Sequence, residues 1–593
     1  MNFSHLYKID SFFRNKRTQL QPHIKLSANL FIYLYDYAVN HIENFKSVEI
    51  SLNECVSVEQ VFYSLYVTGE NNQYADGDVV KYKRNNMLDT IVSLMKLHGR
   101  LDLVTLISNI IKISTNVSVI TVLDVIKGLL SDRFLMLSIY GETNFSDAQS
   151  TSLVDLIVIA NAVDLVTESL KTIKDNIASF ISSGNIKYYF NAQSIVKNAF
   201  GLDNPFVLNE ETCLSQESIR STQLSTLQND AGDFAKWLIS ITTSKDNDYE
   251  QLQMVNFRNK FIEKYGYNNS IKIIDLFDES RGLGSPFADS KFTIGQIASI
   301  NKQRSTFKES YEKDTICSDS WHLDKSSVVH HDVDLGPDFR GFDLNFRSVA
   351  KEGINYLVLG NVTCSLTPYS FNGRFEFLNT PEVPTKGNTI VGIKYFPKDK
   401  NLKNIFNDNT GKQSLRVSGS VAGNDISIQD VYVTVNLNDE FTLTDILGNK
   451  LIVDQKCLAN TTLEDDIVHF MVIVSTPFSV FSTINMIKKF KGIHRKRIVF
   501  RNIVISPECW KITPQLIGTD NYSVESVRSE LKLLSIPNLV VIADNDMLLP
   551  INLSFDSDVH ILMKIMKTGF RSRFETTSLD KKLVNAKCPL GHF

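Results

Sequence analysis

The sequence predicts an α+β fold that is helix-rich first and sheet-rich later. Up to about residue 266, apolar residues recur at helical spacing in segment after segment. From about Gly353 onward, β-branched alternation takes over in INYLVLGNV, NTIVGIKYF, SLRVSGSV, VYVTVNL and RIVFRNIVI. The chain has 593 residues, 43% of them hydrophobic and 22% charged, enough for roughly three to five compact units with sizeable cores.

The formal net charge of -4 is close to neutral for this size, so any nucleic-acid site must be a local patch. The opening MNFSHLYKIDSFFRNKRTQL carries Asp10 and polar breaks where a signal peptide needs an unbroken apolar core. Nowhere do about 18 apolar residues run consecutively, as a membrane span requires. The expectation is a cytoplasmic protein without a membrane span. Seven cysteines are scattered singly with no CxxC pair, which indicates neither a disulfide framework nor a cysteine zinc site.

In chain order, 58–137 reads as a compact unit. Two strand-like stretches, VEQVFYSLYV and DVVKYKR, flank a turn from Gly69 to Gly77, and three helical patterns follow. Leu88, Ile91, Val92 and Met95 share the first apolar face, Leu103, Leu106, Ile107 and Ile110 the second, and Val119, Val122, Leu123 and Ile126 the third. Short strands with three small helices predict a winged helix-turn-helix type of module. Few Arg or Lys residues fall on one helix face, so peptide binding or architecture is favoured over DNA. Residues 151–200 and 218–266 read as mainly helical, through SLVDLIVIANAVDLVTESLKTIKDNI, LQNDAGDFAKWLISI and YEQLQMVNFRNKFIEKYG.

Three stretches invite chemistry. FRNKFIEKYGYNNSIKIIDLFDESRGLGSP reads as a basic, aromatic helix, an Ile-rich strand and a twin-glycine turn. Gly282 and Gly284 precede Ser285, Pro286 and Phe287, so the third glycine of a dinucleotide fingerprint and the Lys-Ser/Thr of a Walker loop are both absent; a turn closing a helix or strand is expected. WHLDKSSVVHHDVDLGPD gathers His322, His330, His331, Asp332 and Asp334, but at no metal-ligand spacing, and Gly336-Pro337 argues for a polar loop; no metal is expected. IKKFKGIHRKRIVFR carries Lys488, Lys489, Lys491, Arg495, Lys496, Arg497 and Arg501 without an acid. That run suits phosphate neutralisation, or else a solvated loop between a helix and a strand. No GxSxG elbow, kinase set, Cys-His pairing or paired-carboxylate motif stands out.

FIEKYGYNNSIKIIDLFDESRGLGSP resembles the amino-terminal glutamylation domain of the class I lanthipeptide dehydratases. Four further stretches match in order: FDLNFRSVAKEGINYLVLGNV with the Gly-Arg-Phe of NGRF, SIQDVYVTVNLNDEFTLTDILGNKLI, RKRIVFRNIVISPECWKI, and IPNLVVIADNDMLLPINLSFDSDVHIL. Each is loose alone; together they cover residues 257–561. The resemblance implies the multi-subdomain fold of that domain with the winged-helix-like module embedded as leader-peptide binder. It implies four segments: 1–57 a residual amino-terminal segment, 58–140 the leader-binding module, 141–335 a helix-rich part and 336–593 a sheet-rich part.

The activity implied is transfer of glutamate from glutamyl-tRNA onto Ser or Thr hydroxyls of a ribosomally made precursor peptide, the first half of dehydration in lanthipeptide or thiopeptide biosynthesis. No cofactor is implied beyond glutamyl-tRNA as co-substrate. The implied partners are the precursor, a separate elimination enzyme with other maturation proteins, and a second copy of the chain in a homodimer. Arg374 of the Gly-Arg-Phe motif is the implied catalytic residue. Lys488, Lys489, Lys491, Arg495 and Arg497 are the expected tRNA contacts, and Val61, Tyr63, Leu65, Val80 and Tyr82 the expected peptide contacts.

The chain departs from the family pattern at three places. The early arginine-rich segment has no counterpart, Lys25-Leu26-Ser27 stands where the family has Arg-x-Asp, and Phe206-Val207-Leu208-Asn209 stands where a strand Asp is usual. The chain also ends just after the first domain should end, as expected of a split form lacking the elimination domain. A peptide aminoacyl-tRNA ligase and a non-catalytic peptide-binding scaffold remain the alternatives.

Overall fold

A computed structural model describes residues 17–19, 23–45, 48–67, 78–114, 117–138, 153–159, 164–209, 212–214, 221–242, 249–288, 308–315, 318, 320–325, 341–351, 354–364, 389–397, 413–417, 425–455, 464–476, 483–484, 487, 494–512, 523–544, 547–568 and 584–587. The helical first half contains Ala28–Asn40, Asn86–His98, Leu103–Ile113, Val119–Ser131, Leu165–Ser183, Ile186–Phe200, Ser221–Ile241 and Tyr249–Tyr265. Starts are set by side-chain caps: Ser27, Asn85, Asp102, Ser118, Asp164 and Asn185 each accept a hydrogen bond from a first-turn N–H. Each cap contributes about 1 kcal/mol. The cap at Asp164 explains why the periodic run from Ser152 to Ile177 is not one helix: Leu153–Ile159 is followed by a fresh start at Leu165.

The apolar faces read from the sequence are buried at Leu88, Ile91, Val92, Met95, Leu103, Leu106, Ile110, Val122 and Ile126. Val119 departs from that pattern. It is the first residue after the Ser118 cap and is 55% exposed.

The sheet-rich half is built on three larger sheets. A mixed seven-stranded sheet runs in the order Ile271–Lys272, Tyr432–Val435, Phe441–Thr444, Lys450–Asp454, Thr389–Lys394, Ser414–Arg416, Ile426–Ser427. A five-stranded sheet orders Ser320–His322, Arg497–Phe500, Ile503–Ser506, Ile354–Cys364 and Leu344–Lys351. A second five-stranded sheet orders His494–Arg495, Cys509–Ile512, Val584–Lys587, Leu539–Asp544 and Met547–Asn552. Two local readings change. RIVFRNIVI is two strands folded at Arg501-Asn502, where Arg501 takes a φ of 49°. In IKIIDLF only Ile271–Lys272 is strand; Ile273–Phe277 is a helical turn whose Ile273, Ile274, Leu276 and Phe277 all enter the core, so burial outweighs β propensity.

One hydrophobic core joins Ile24 and Phe31, Tyr63 and Ile91, Ile173, Phe261 and Phe277, Val391, Val433 and Phe470. A second packs Phe234 and Trp237 of Ser221–Ile241 on Trp321, Ile498, Phe500 and Ile503. A third surrounds Trp510, Val527, Leu531, Val540 and Val559. Among the described residues no helix is long and apolar enough to cross a membrane.

Candidate functional site

Strands Val56–Val58, Phe62–Tyr66 and Val79–Lys83 form a small antiparallel sheet ahead of the three helices Asn86–His98, Leu103–Ile113 and Val119–Ser131. Its central strand is Phe62–Tyr66, so VEQVFYSLYV is not one strand: Val58 ends the first strand and Glu59 to Val61 turn into the next. Two tyrosines fix the sheet to the helices. Tyr63 Oη donates to Asp89 Oδ1 at 2.5 Å, where Arg84 Nε also donates at 2.9 Å, and Tyr82 Oη donates to Asp132 Oδ2 at 2.9 Å. Burial first, then the bond to Asp89, pushes the Tyr63 phenol up to about 12. Those hydrogen bonds from Tyr63 and Arg84 in turn hold Asp89 below the usual carboxylate range. Both rings sit edge-on to Phe134.

The two outer strands end up in different states. Val56 N–H donates to Asn53 C=O at 3.1 Å, and its C=O accepts from Gln429 Nε2 at 3.2 Å, so both outward groups of Val56 are used. Arg281 Nη2 reaches Ser57 Oγ at 3.3 Å on the same strand. The other edge is open. Arg84 N–H donates to Val61 and Val67 N–H to Asp78, both at 2.9 Å, and the register pairs Tyr82 with Tyr63 and Val80 with Leu65. Antiparallel alternation then directs the backbone groups of 78, 80, 82 and 84 inward and those of Val79, Lys81 and Lys83 outward. No strand among the described residues pairs with them.

Of the five expected peptide contacts, Tyr63 and Leu65 are 2% and 1% exposed and lie on the central strand. They are core residues, unable to meet a ligand directly. Val80 and Tyr82 are half-buried on the open strand, and Val61 is 53% exposed at the turn beside it.

The twin-glycine segment straps this sheet to the body of the fold. Asp278, 2% exposed, accepts from Ser280 N–H at 2.8 Å and from Arg281 Nε at 2.8 Å. Burial alone would raise its carboxyl, but the bonds from Ser280 and Arg281 outweigh it and hold Asp278 below the usual carboxylate range. Gly282 N–H donates to Asp278 C=O and Leu283 N–H to Leu276 C=O, both at 2.7 Å, which closes the helix Ile273–Phe277 as a glycine turn should. At the far end Ser285 Oγ donates to Asp466, and Phe287 stacks on His469, ring centroids 4.2 Å apart. His469 Nε2 meets Glu250 Oε1 at 2.6 Å. Sequence reasoning passed over Arg281 and Asp278, although Asp-x-Ser was a legible turn signal. Gln429 carried no signal, its role depending on a strand far away in sequence.

The remaining expected residues divide. Arg374, Lys488, Lys489 and Lys491 lie outside the described residues. Arg495 is 9% exposed, and its guanidinium donates to Ser506 Oγ and, at 3.1 Å, to Cys509 Sγ. A phosphate contact needs a surface cation, so this arginine leaves the set. Its place is a strand, not a loop, and the same holds for Arg497, half-buried in Arg497–Phe500. Lys496 Nζ donates to the carbonyls of Thr315 and Ser318 at 2.8 and 2.7 Å, and Arg501 Nη1 pairs with Asp233 at 2.6 Å. The strands holding the two departures from the family pattern are neighbours: His23–Leu26 pairs with Phe206–Asn209, Lys25 opposite Val207 and His23 opposite Asn209. Among the described residues no three His, Cys, Asp or Glu side chains converge as a metal set.

No protein-family model matches the chain. The nisin biosynthesis protein NisB of Lactococcus lactis subsp. lactis is 24% identical over 358 residues, covering 54% of this chain and 34% of NisB. The epidermin biosynthesis protein EpiB of Staphylococcus epidermidis is 20% identical over 386 residues, covering 60% of this chain and 38% of EpiB. The chain is a homologue of the lantibiotic dehydratases NisB and EpiB. It spans about a third of the length of these two relatives.

Among solved structures, the tRNA-dependent lantibiotic dehydratase MibB from Microbispora sp. 107891 superposes with a TM-score of 0.72 at 11% identity, over 98% of this chain and 61% of MibB. The glutamylation domain TbtB from thiomuracin biosynthesis superposes with a TM-score of 0.64 at 11% identity, over 97% of this chain and 70% of TbtB. The dehydratase homologue therefore has the α+β fold of a lanthipeptide dehydratase glutamylation domain.

Proposed function

We propose that this dehydratase homologue transfers glutamate from glutamyl-tRNA to Ser and Thr hydroxyls of a ribosomally made precursor peptide, in the first half of dehydration. The observation that carries the reading is the unpaired edge of Val79–Lys83 in a chain with a glutamylation-domain fold. An exposed edge offers backbone donors and acceptors to an extended peptide, and the side chains beside it select the sequence. The leader segment of the precursor adds there as a fourth strand, which leaves the Ser and Thr residues downstream of it free to reach the transfer site.

In the transfer, the peptide hydroxyl oxygen attacks the glutamyl ester carbon of the charged tRNA. A new ester forms, the bond to the tRNA ribose oxygen breaks, and the hydroxyl proton passes to that oxygen. The ester is already activated, so the protein's share is orientation and a cation near the developing oxyanion. Arg374 is proposed for that cation by its place in the Gly-Arg-Phe motif, and Lys488, Lys489 and Lys491 for contacts to tRNA phosphate. Removal of the glutamate is the second half of dehydration, a reaction distinct from the transfer.

Incubation of the chain with precursor, glutamyl-tRNA and the partner proteins should yield a glutamate-sized adduct on Ser or Thr by mass spectrometry. Arg374→Lys should lower the transfer at least about tenfold, roughly 1.4 kcal/mol of transition-state stabilisation, because a point charge replaces a bidentate fork. No adduct from the unmutated chain would overturn the reading and leave the scaffold; an amide-linked addition would identify a peptide ligase. Neutralising Lys488, Lys489 and Lys491 to Gln together should reduce the slope of log tRNA affinity against log salt by about 2–3. An unchanged slope would return the run to a solvated loop.

A further inference from the structure

We draw no further inference here: the strongest candidate, the exposed apolar patch of Leu533, Leu539 and Phe555 at the end of the third core unit where Leu553 N–H bonds Asn538 C=O between two loops, is an unpartnered surface, and nothing in the structure shows what covers it.

Discussion

Gly282→Ala is expected to destabilise the chain by about 3 kcal/mol or more, at the severe end for a single methyl group. A Cβ at this position would stand 2.2 Å from the carbonyl oxygens of both Asp275 and Leu276 and 2.6 Å from the Leu276 carbonyl carbon. Those are backbone atoms of the turn Ile273–Phe277, whose Ile273, Ile274, Leu276 and Phe277 side chains are in the main core, so they cannot swing aside as a surface side chain would. Gly284→Ala supplies the contrast. Its φ of +72° strains any other residue, but the nearest atom is the flexible Glu279 Cγ at 3.1 Å, and a loss of about 1 kcal/mol is expected. Urea midpoints of the two variants should differ clearly; equal midpoints would show that the approach at Gly282 relaxes without cost.

Glu464→Gln is expected to stabilise the chain above neutral pH. Glu464 is 2% exposed, and burial pushes its carboxyl from 4.5 up to about 8. The folded chain therefore keeps a proton that the unfolded chain releases. The contribution to stability is fully present below pH 4.5 and is lost as pH rises through about 8, at about 1.4 kcal/mol per pH unit. The accumulated loss is on the order of 4 kcal/mol by pH 8. An amide at 464 keeps an acceptor for Gln455 Nε2, now 2.8 Å from Oε1, and does not ionise. Thermal melts from pH 5 to 9 should show the steep fall of the unmutated chain flattened in the variant. Parallel curves would mean that Glu464 is ionised in the fold.

Much of this was legible in local pattern, and what was not depended on distant partners. The three helices at 86–131 followed from apolar spacing alone, because periodicity is a local property. The strand DVVKYKR was legible too; that its outer edge is open was not, since this depends on what fails to pair with it. Tyr63 and Leu65 read as ligand contacts because alternation marks a face without saying whether that face meets solvent or core. The basic run read as a set of tRNA contacts, or else a solvated loop, because its charges are contiguous, whereas Arg495 is buried by Ser506 and Cys509 from the following strands. Arg281 was in plain view inside a quoted stretch, but its partner Ser57 lies 224 residues earlier.

The closure of the Val56–Val58 edge by Gln429 also sets an order of events during synthesis. Cys55 Sγ donates to Val417 C=O across 362 residues, and Gln429 reaches the Val56 carbonyl across 373. At roughly 5–20 residues per second, the strand waits about 20–70 s after leaving the ribosome before its cap is made. Through that interval the nascent small sheet has two sticky edges instead of one, and the strand Val56–Val58 is open to pairing with neighbouring chains. Translation speed over the middle of the message, and chaperone cover of the emerging amino-terminal third, thereby become determinants of yield that no property of the finished fold would reveal.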